Sequence, residues 1–410
     1  MKRVFRLMLL AGLSPLRAIA QEAEPGGVFF TLDFSQSVEA STDRDLTTEE
    51  AEDDLISLTT LTFGAVTETR TERLAFTLGS GLRISEGEFS DDGLSSSLSY
   101  RRESADASFE VSISSRRDDI AFLRDLTDFV DDAGVIVLPD DFEDLIGGGI
   151  RAETILAAAL SWGDTAPVGY SFSVSQEMLR YEDADAGLID TDTFLLGFGT
   201  SLTINEVTTG NIDLAYYQSD DVGSAPTDTT SITGALTFER PFGSLTAGLT
   251  AARDEESEVF WAASIEQEFA LPNGSLSGGI GVVEDGSGDP RLTGNIAFSY
   301  PRPTGQIDLM AAHSLSAGDD RATTTFSANY LQELTPVSSM RVGFAYAQAS
   351  DSDGGDPVAA AGLSASYGVS LTEDWQVSVG ARFDLRDEDG TRSDSSTFFV
   401  TLERPFSWRP

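Results

Sequence analysis

Between Val28 and Val38 apolar and polar side chains alternate: Val28, Phe30, Leu32 and Phe34 are apolar, and Thr31, Asp33, Ser35 and Ser37 fall among them. A period of two sends successive side chains to opposite faces of an extended chain, so the segment predicts a strand with one apolar and one wet face. The same pattern runs through Leu74, Phe76, Leu78, Leu82 and Ile84, then Phe109, Val111 and Ile113, then Phe194, Leu196, Phe198 and Leu202. It returns at Ile212, Leu214 and Tyr216, at Ile232, Leu236 and Phe238, and at Leu292, Ile296, Phe298 and Tyr300. Trp375, Val377, Val379 and Phe383 repeat it, as do Phe398, Val400 and Leu402. Two stretches are poorer: Leu55 to Thr67 changes phase midway, and Ala152 to Trp162 is diluted by alanine.

The connections between these segments alternate in kind. One set is short: residues 69–71, 102–104, 163–167, 240–242, 272–274, 301–304 and 372–374. The other is longer and acidic: residues 40–53, 87–92, 117–149, 182–190, 219–228, 284–289, 350–356 and 386–394. Strands of about ten residues joined alternately by short turns and long loops fit a transmembrane barrel, with short periplasmic turns and longer outer loops. The pattern therefore predicts an all-β chain forming a closed antiparallel transmembrane β-barrel of about 20 strands, within roughly 18 to 22, both ends periplasmic. Leu236-Thr237-Phe238-Glu239-Arg240-Pro241-Phe242 closely matches Val400-Thr401-Leu402-Glu403-Arg404-Pro405-Phe406. In this count the two stretches close the tenth and last strands.

The first twenty residues break the alternation. Lys2, Arg3 and Arg6, then an apolar run from Leu7 to Leu13, then Ala18-Ile19-Ala20, form a secretory signal pattern, so residues 1–20 are expected to be removed and 21–410 to form the barrel. No later apolar run is long enough to span a bilayer as a helix, which leaves a closed barrel as the membrane-spanning option. Cysteine is absent, which excludes disulfides, thiolate metal sites and cysteine nucleophiles.

Charge narrows the partners. The chain has 26 Lys+Arg and 68 Asp+Glu, a net charge of −42. Loss of Lys2, Arg3, Arg6 and Arg17 with the signal takes this to 22 − 68 = −46, and every remaining cation is arginine. Such a surface repels phosphate backbones and argues against nucleic acid.

The chain resembles the bacterial outer-membrane β-barrel proteins and, within them, the diffusion porins. The likeness spans the mature chain and lies in architecture. The family's last strand ends on an aromatic residue read by the barrel-assembly machinery; Phe398, Val400, Leu402 and Phe406 fit that alternation, and Trp408-Arg409-Pro410 overrun it. In porins the third outer loop folds into the barrel and narrows the pore. Here the third long connection, residues 117–149, is the longest, and it carries Asp118, Asp119, Asp125, Asp128, Asp131 and Asp132 as the implied constriction acids. Ile120, Leu123, Leu126 and Val130 give it an apolar stripe at helical spacing. Porin constrictions set such acids against basic wall residues. Wet-face parity nominates Arg73, Arg83, Arg101, Arg151, Arg291 and Arg382 for that wall, with Arg116 and Arg341 sharing the pattern. Wet-face acids include Asp33, Glu110, Glu153, Asp308 and Asp384.

The resemblance implies a passive channel for small polar solutes or ions in the outer membrane of a Gram-negative bacterium, with no enzyme activity and no cofactor. Its partners would be outer-membrane lipid, lipopolysaccharide, the assembly machinery and other copies of itself. Two alternatives stay open: a structural or surface-interaction barrel with a packed lumen and no transport, and a soluble exported β-protein. His313 is the only histidine, and its neighbours Ser314, Leu315 and Ser316 do not form the phospholipase His-x-Ser-Asn pattern. The run Asp351 to Asp356 lacks the spacing and closing Glu of an EF-hand.

Overall fold

A computed structural model describes residues 27–42, 53–85, 88–120, 126, 136, 138, 149–163, 165–183, 188–254, 259–284, 289–315, 321–351, 357–388 and 390–409. Residues 1–26, which hold the expected signal, lie outside the described residues.

Twenty strands follow one another along the chain. They are β1 (Gly27–Thr42), β2 (Asp53–Glu68), β3 (Glu72–Ser85), β4 (Glu88–Glu103), β5 (Ala107–Asp119), β6 (Ile150–Trp162) and β7 (Val168–Glu182). Next come β8 (Thr191–Asn205), β9 (Thr208–Asp221), β10 (Thr227–Arg240), β11 (Gly243–Asp254), β12 (Val259–Leu271), β13 (Gly274–Glu284) and β14 (Pro290–Arg302). The last are β15 (Gly305–Leu315), β16 (Arg321–Thr335), β17 (Ser338–Asp351), β18 (Val358–Ser370), β19 (Gln376–Glu388) and β20 (Thr391–Trp408).

Each strand pairs antiparallel with its neighbours in sequence, and β1 pairs with β20 from Phe30↔Trp408 to Thr42↔Ser396. That last ladder closes the sheet into a barrel and removes both edges, so every strand has a hydrogen-bonded neighbour on each side. Among the described residues no helix is long and apolar enough to cross a membrane.

The alternation places large apolar side chains outward. Leu61, Leu82, Phe172, Leu214, Ile232, Leu249, Ile280, Leu292 and Val400 are all exposed, Ile280 and Leu292 by 72% and 74%. A continuous apolar band of this extent is far beyond what a water-soluble surface carries. It is the outward band of a spanning barrel.

Aromatic side chains gather at the short-turn end: Phe30 stacks on Trp408 at 5.5 Å between ring centroids, Trp162 on Tyr170 at 5.3 Å, and Phe298 on Tyr300 at 6.1 Å. Arg404 lies over Trp375 and Phe406 at 5.0 and 4.3 Å. Amphipathic rings and snorkelling arginines of this kind mark a headgroup interface.

Several short turns share one chemistry. Pro241, Pro272 and Pro303 open two-residue connections, and a glycine follows at 243, 274 and 305. Proline presets the turn φ and withholds no ladder donor there. Gly243 and Gly274 hold φ near +131° and +142°, and a Cβ on either would sit 1.9 and 2.1 Å from the carbonyl oxygens of Glu268 and Ser299.

The connections at 206–207, 255–258, 316–320 and 336–337 are not among those read from the sequence, although Gly318-Asp319-Asp320 and Pro336 are turn residues. At the other end, β3 and β4 approach to within residues 86–87, and β19 and β20 to within 389–390. Strands there continue past the membrane band, so two outer connections are as short as the periplasmic turns. The repeated seven-residue stretch does end β10 and sit in β20, but Val400 to Phe406 does not turn: β20 runs on to Trp408. Pro405 is tolerated because β19 pairs only as far as Glu403, leaving β1 as its one neighbour.

Candidate functional site: the inner wall

The same parity that sends Leu and Phe outward sends small and charged side chains inward. Ser95, Ser97 and Ser99 of β4, Ser171, Ser173 and Ser175 of β7, and Gly362, Ser364 and Ser366 of β18 share inward faces. The wall is close-fitting where glycine meets hydroxyl: a Cβ on Gly197 would lie 2.5 Å from Ser173 Oγ, and one on Gly79 2.6 Å from Ser95 Oγ. Small inward residues leave the width of a twenty-stranded barrel unfilled by the wall itself.

Charges on this face are arranged by height. In the half nearer the short turns stand Asp33, Glu110, Asp213, Glu266, Glu268 and Asp308, on β1, β5, β9, β12 and β15. Arg73, Arg101 and Arg341 share that half. Asp213, Glu266 and Glu268 are exposed, while Asp308 accepts hydrogen bonds from Ser299 Oγ and Gln306 Nε2 at 2.7 and 2.9 Å. Arg83, Arg116, Arg151 and Arg291 belong to the half nearer the long loops, with Arg382 at mid-strand.

The arginines nominated from parity all lie on the inward face, and four of the eight, Arg101, Arg116, Arg151 and Arg382, hold a carboxylate two residues along their own strand. Arg101 pairs with Glu103, and with Glu110 across the sheet at 3.9 Å. Arg116 meets Asp118 at 2.6 Å, Arg151 meets Glu153 at 3.1 Å, Arg382 meets Asp384 at 2.8 Å, and Arg386 meets Glu388 at 3.1 Å. Residues two apart in a strand share a face, so each such pair is local to the wall. Arg73 stands beside Glu68 and Arg101 in register, and Arg291 is exposed on β14.

Of the nominated loop acids, Asp125, Asp128, Asp131 and Asp132 lie outside the described residues. Asp118 and Asp119 are the last two residues of β5. Adjacent strand residues face opposite ways, so they cannot act together: Asp118 faces inward with Arg116, and Asp119 shares the outward face of Phe109, Val111 and Ile113.

The wall has a covered side. Ala345, Ala347 and Ala349 of β17 face inward beside Val358 and Ala360 of β18, with Ala347 opposite Ala360 and Ala349 opposite Val358. All five are buried, in one apolar cluster with Leu126, Ile136 and Leu138 of the segment between β5 and β6. From β5 the shorter way round to β17 passes through β1 and β20, so these three side chains reach an inner surface well away from the strands that launch them.

The covering continues along the seam. Ser41 lies 3.0 Å from Ser395 Oγ and 2.9 Å from Thr397 Oγ1, and Ser393, Asp384, Arg386 and Arg83 are buried on the same sector. The wall from β9 to β14 is also buried nearer the long loops, at Ser219, Thr250, Ala252 and Phe260, and keeps Asp213, Glu266, Glu268, Arg291 and Asn295 exposed.

Parity applied to β9 and β12 would have found Asp213, Glu266 and Glu268. The alanine seat carries no such signal, because inward alanines read as filler until their cover is known. His313 faces outward with Leu309 and Ala311, its Nδ1 2.9 Å from Thr324 Oγ1. Among the described residues no cluster of His, Asp or Glu could hold a metal ion.

No protein-family model and no curated protein matches the sequence. Solved structures do resemble the fold. The chain is similar to the ferric-catecholate import receptor Fiu from Escherichia coli, with a TM-score of 0.55 and 8% identity over 93% of this chain and 82% of that one. It is similar to the ferric enterobactin receptor PfeA from Pseudomonas aeruginosa, with a TM-score of 0.54 and 10% identity over 94% and 81%. OccK5 of Pseudomonas aeruginosa is covered over 99% of its length, at a TM-score of 0.42 and 9% identity. A closed antiparallel barrel with an apolar outer band, aromatic rim and polar inner wall defines the class: this is an outer-membrane β-barrel protein, its short turns facing the periplasm.

Proposed function

We propose that the barrel is a water-filled channel for passive diffusion of small polar solutes, with a preference for cations. The observation that carries this reading is the polar lining of the inner wall. In the half nearer the short turns Asp33, Arg101, Asp213, Glu266, Glu268 and Arg341 face inward and are exposed, whereas the buried inward residues Ser41, Arg83, Ser219, Thr250, Phe260 and Ala347 lie nearer the long loops. The path runs past the exposed groups. The segment 117–149, seated on β17 and β18 through Leu126, Ile136 and Leu138, is the constriction.

Cation preference follows from the wall as well as from the net charge. The periplasmic half of the lumen carries more carboxylates than arginines, and rings of Asp and Glu select for cations. Lipid and lipopolysaccharide surround the outer band, and the aromatic face of β20 serves the assembly machinery.

The test is the reversal potential of purified protein in a planar bilayer under a KCl gradient. Wild type is expected to reverse on the cation-selective side of zero. The variant Asp213→Asn, Glu266→Gln, Glu268→Gln is expected to move toward zero with its conductance retained. An unchanged potential would remove those carboxylates from the selectivity account.

A further inference from the structure

Aromatic side chains are sparse on the inner wall, and one of them stands apart. By strand parity Phe29, Tyr181, Tyr217, Phe260 and Phe399 face inward among the described residues. Phe29 lies at the short-turn mouth, while Tyr181, Tyr217 and Phe260 lie toward the long loops, with Phe260 buried. Phe399 is at mid-strand on β20 and half-buried, and it interrupts an inward run of hydroxyls, Ser393, Ser395, Thr397 and Thr401.

The neighbours of Phe399 orient its ring. It lies opposite Gly380 of β19 on one side and Glu39 of β1 on the other. Gly380 has no side chain, and a Cβ there would lie 2.9 Å from Phe399 Cε1 and closer still to Cζ. The far end of the ring therefore leans along the wall over the Gly380 backbone, which leaves its other side turned to the lumen. Glu39 shares the inward face, and side chains directly opposite in such a ladder start about 5 Å apart at Cβ. Ser37 Oγ donates to Glu39 Oε1 at 3.2 Å. Toward the long loops the next inward residue of β19 is Arg382, whose guanidinium is held by Asp384 at 2.8 Å.

An aromatic ring in a hydroxyl-lined wall leaves apolar surface against water, and a solute that covers it recovers the cost. We infer that Phe399 and Glu39 form a station on the pore wall for organic cations, ammonium groups that carry an apolar substituent. The ring attracts the cation and covers the substituent, and the carboxylate supplies the opposite charge. An inorganic ion that keeps its water gains little from the ring, so the station separates organic from inorganic cations. Asp33 and Glu403, exposed on the same two strands nearer the short turns, raise the local concentration of cations on that side. The inference rests on the channel reading and adds a solute class to it.

The test is block of the KCl current in planar bilayers by benzyltrimethylammonium, with wild type compared with Phe399→Leu, Phe399→Tyr and Glu39→Gln, each shown to be folded by its heat-dependent shift in gel mobility. Wild type and Phe399→Tyr are expected to be blocked at similar concentrations. Phe399→Leu is expected to need on the order of tenfold more blocker, the size of one ring–cation contact, and Glu39→Gln to shift in the same direction, all with KCl conductance retained. A ring that only covers Gly380 would leave the blocking concentration unmoved. Equal block of wild type and Phe399→Leu, or no block of wild type, therefore overturns this inference and leaves the channel standing. Folded, inserted protein with no KCl conductance overturns the channel reading and the station with it.

Discussion

Asp106 shows how a single residue shapes this barrel at its periplasmic rim. Its carboxylate accepts the backbone N–H of Thr165 at 3.1 Å and the Thr165 hydroxyl at 2.8 Å, tying the β4–β5 turn to the β6–β7 turn. Both hydrogen bonds favour the charged form, the hydroxyl first, and hold the Asp106 carboxyl below the ordinary aspartate range. A depressed folded-state pKa means that the tie is present above the unfolded value and is lost as pH falls through the folded one. In an NMR titration Asp106 is therefore expected to ionise at lower pH than an ordinary aspartate. In Thr165→Val it should return toward the ordinary position. Identical titrations in the two proteins would contradict the assignment. None of this was legible in the sequence, because Asp106 and Thr165 belong to different turns, and only the pairing of β5 with β6 brings them together.

Among the elements, the strands were legible wherever one face was apolar and the other wet. The exceptions have causes. β2 looked out of phase because Ile56 and Leu58 face inward, and Ile56 is only 2% exposed: the lumen there is covered, so its face is not uniformly wet. β6 looked diluted because Ala157 and Ala159 face a lumen where small side chains suffice.

The segment between β5 and β6 depends on the alanine seat of β17 and β18. Ala347 is fully buried there. Adding a large ring leaves no room for Leu126, Ile136 and Leu138, and overpacking of this kind costs about 1–3 kcal/mol. Ala347→Phe is accordingly expected to displace the segment and raise single-channel conductance, with the barrel still folded by gel mobility. An unchanged conductance would detach the segment from the constriction.

For the whole molecule, alternation, connection length and the lack of a spanning helix together indicated a barrel of the size observed, with its closure by β1 and β20. The inner wall was legible only to the level of parity. Parity names which arginines face inward, but it does not show that Arg101, Arg116, Arg151 and Arg382 hold carboxylates on their own face. Nor does it show that one sector of the wall is covered. Those facts arise from contacts between strands distant in sequence. The central claim is an open lumen, and single-channel recording of the folded protein in planar bilayers tests it most directly. Discrete conductance steps, larger for small hydrated cations than for anions, are expected; a bilayer that stays sealed at all voltages, with folded protein shown to be inserted, would contradict the channel and favour a closed structural barrel.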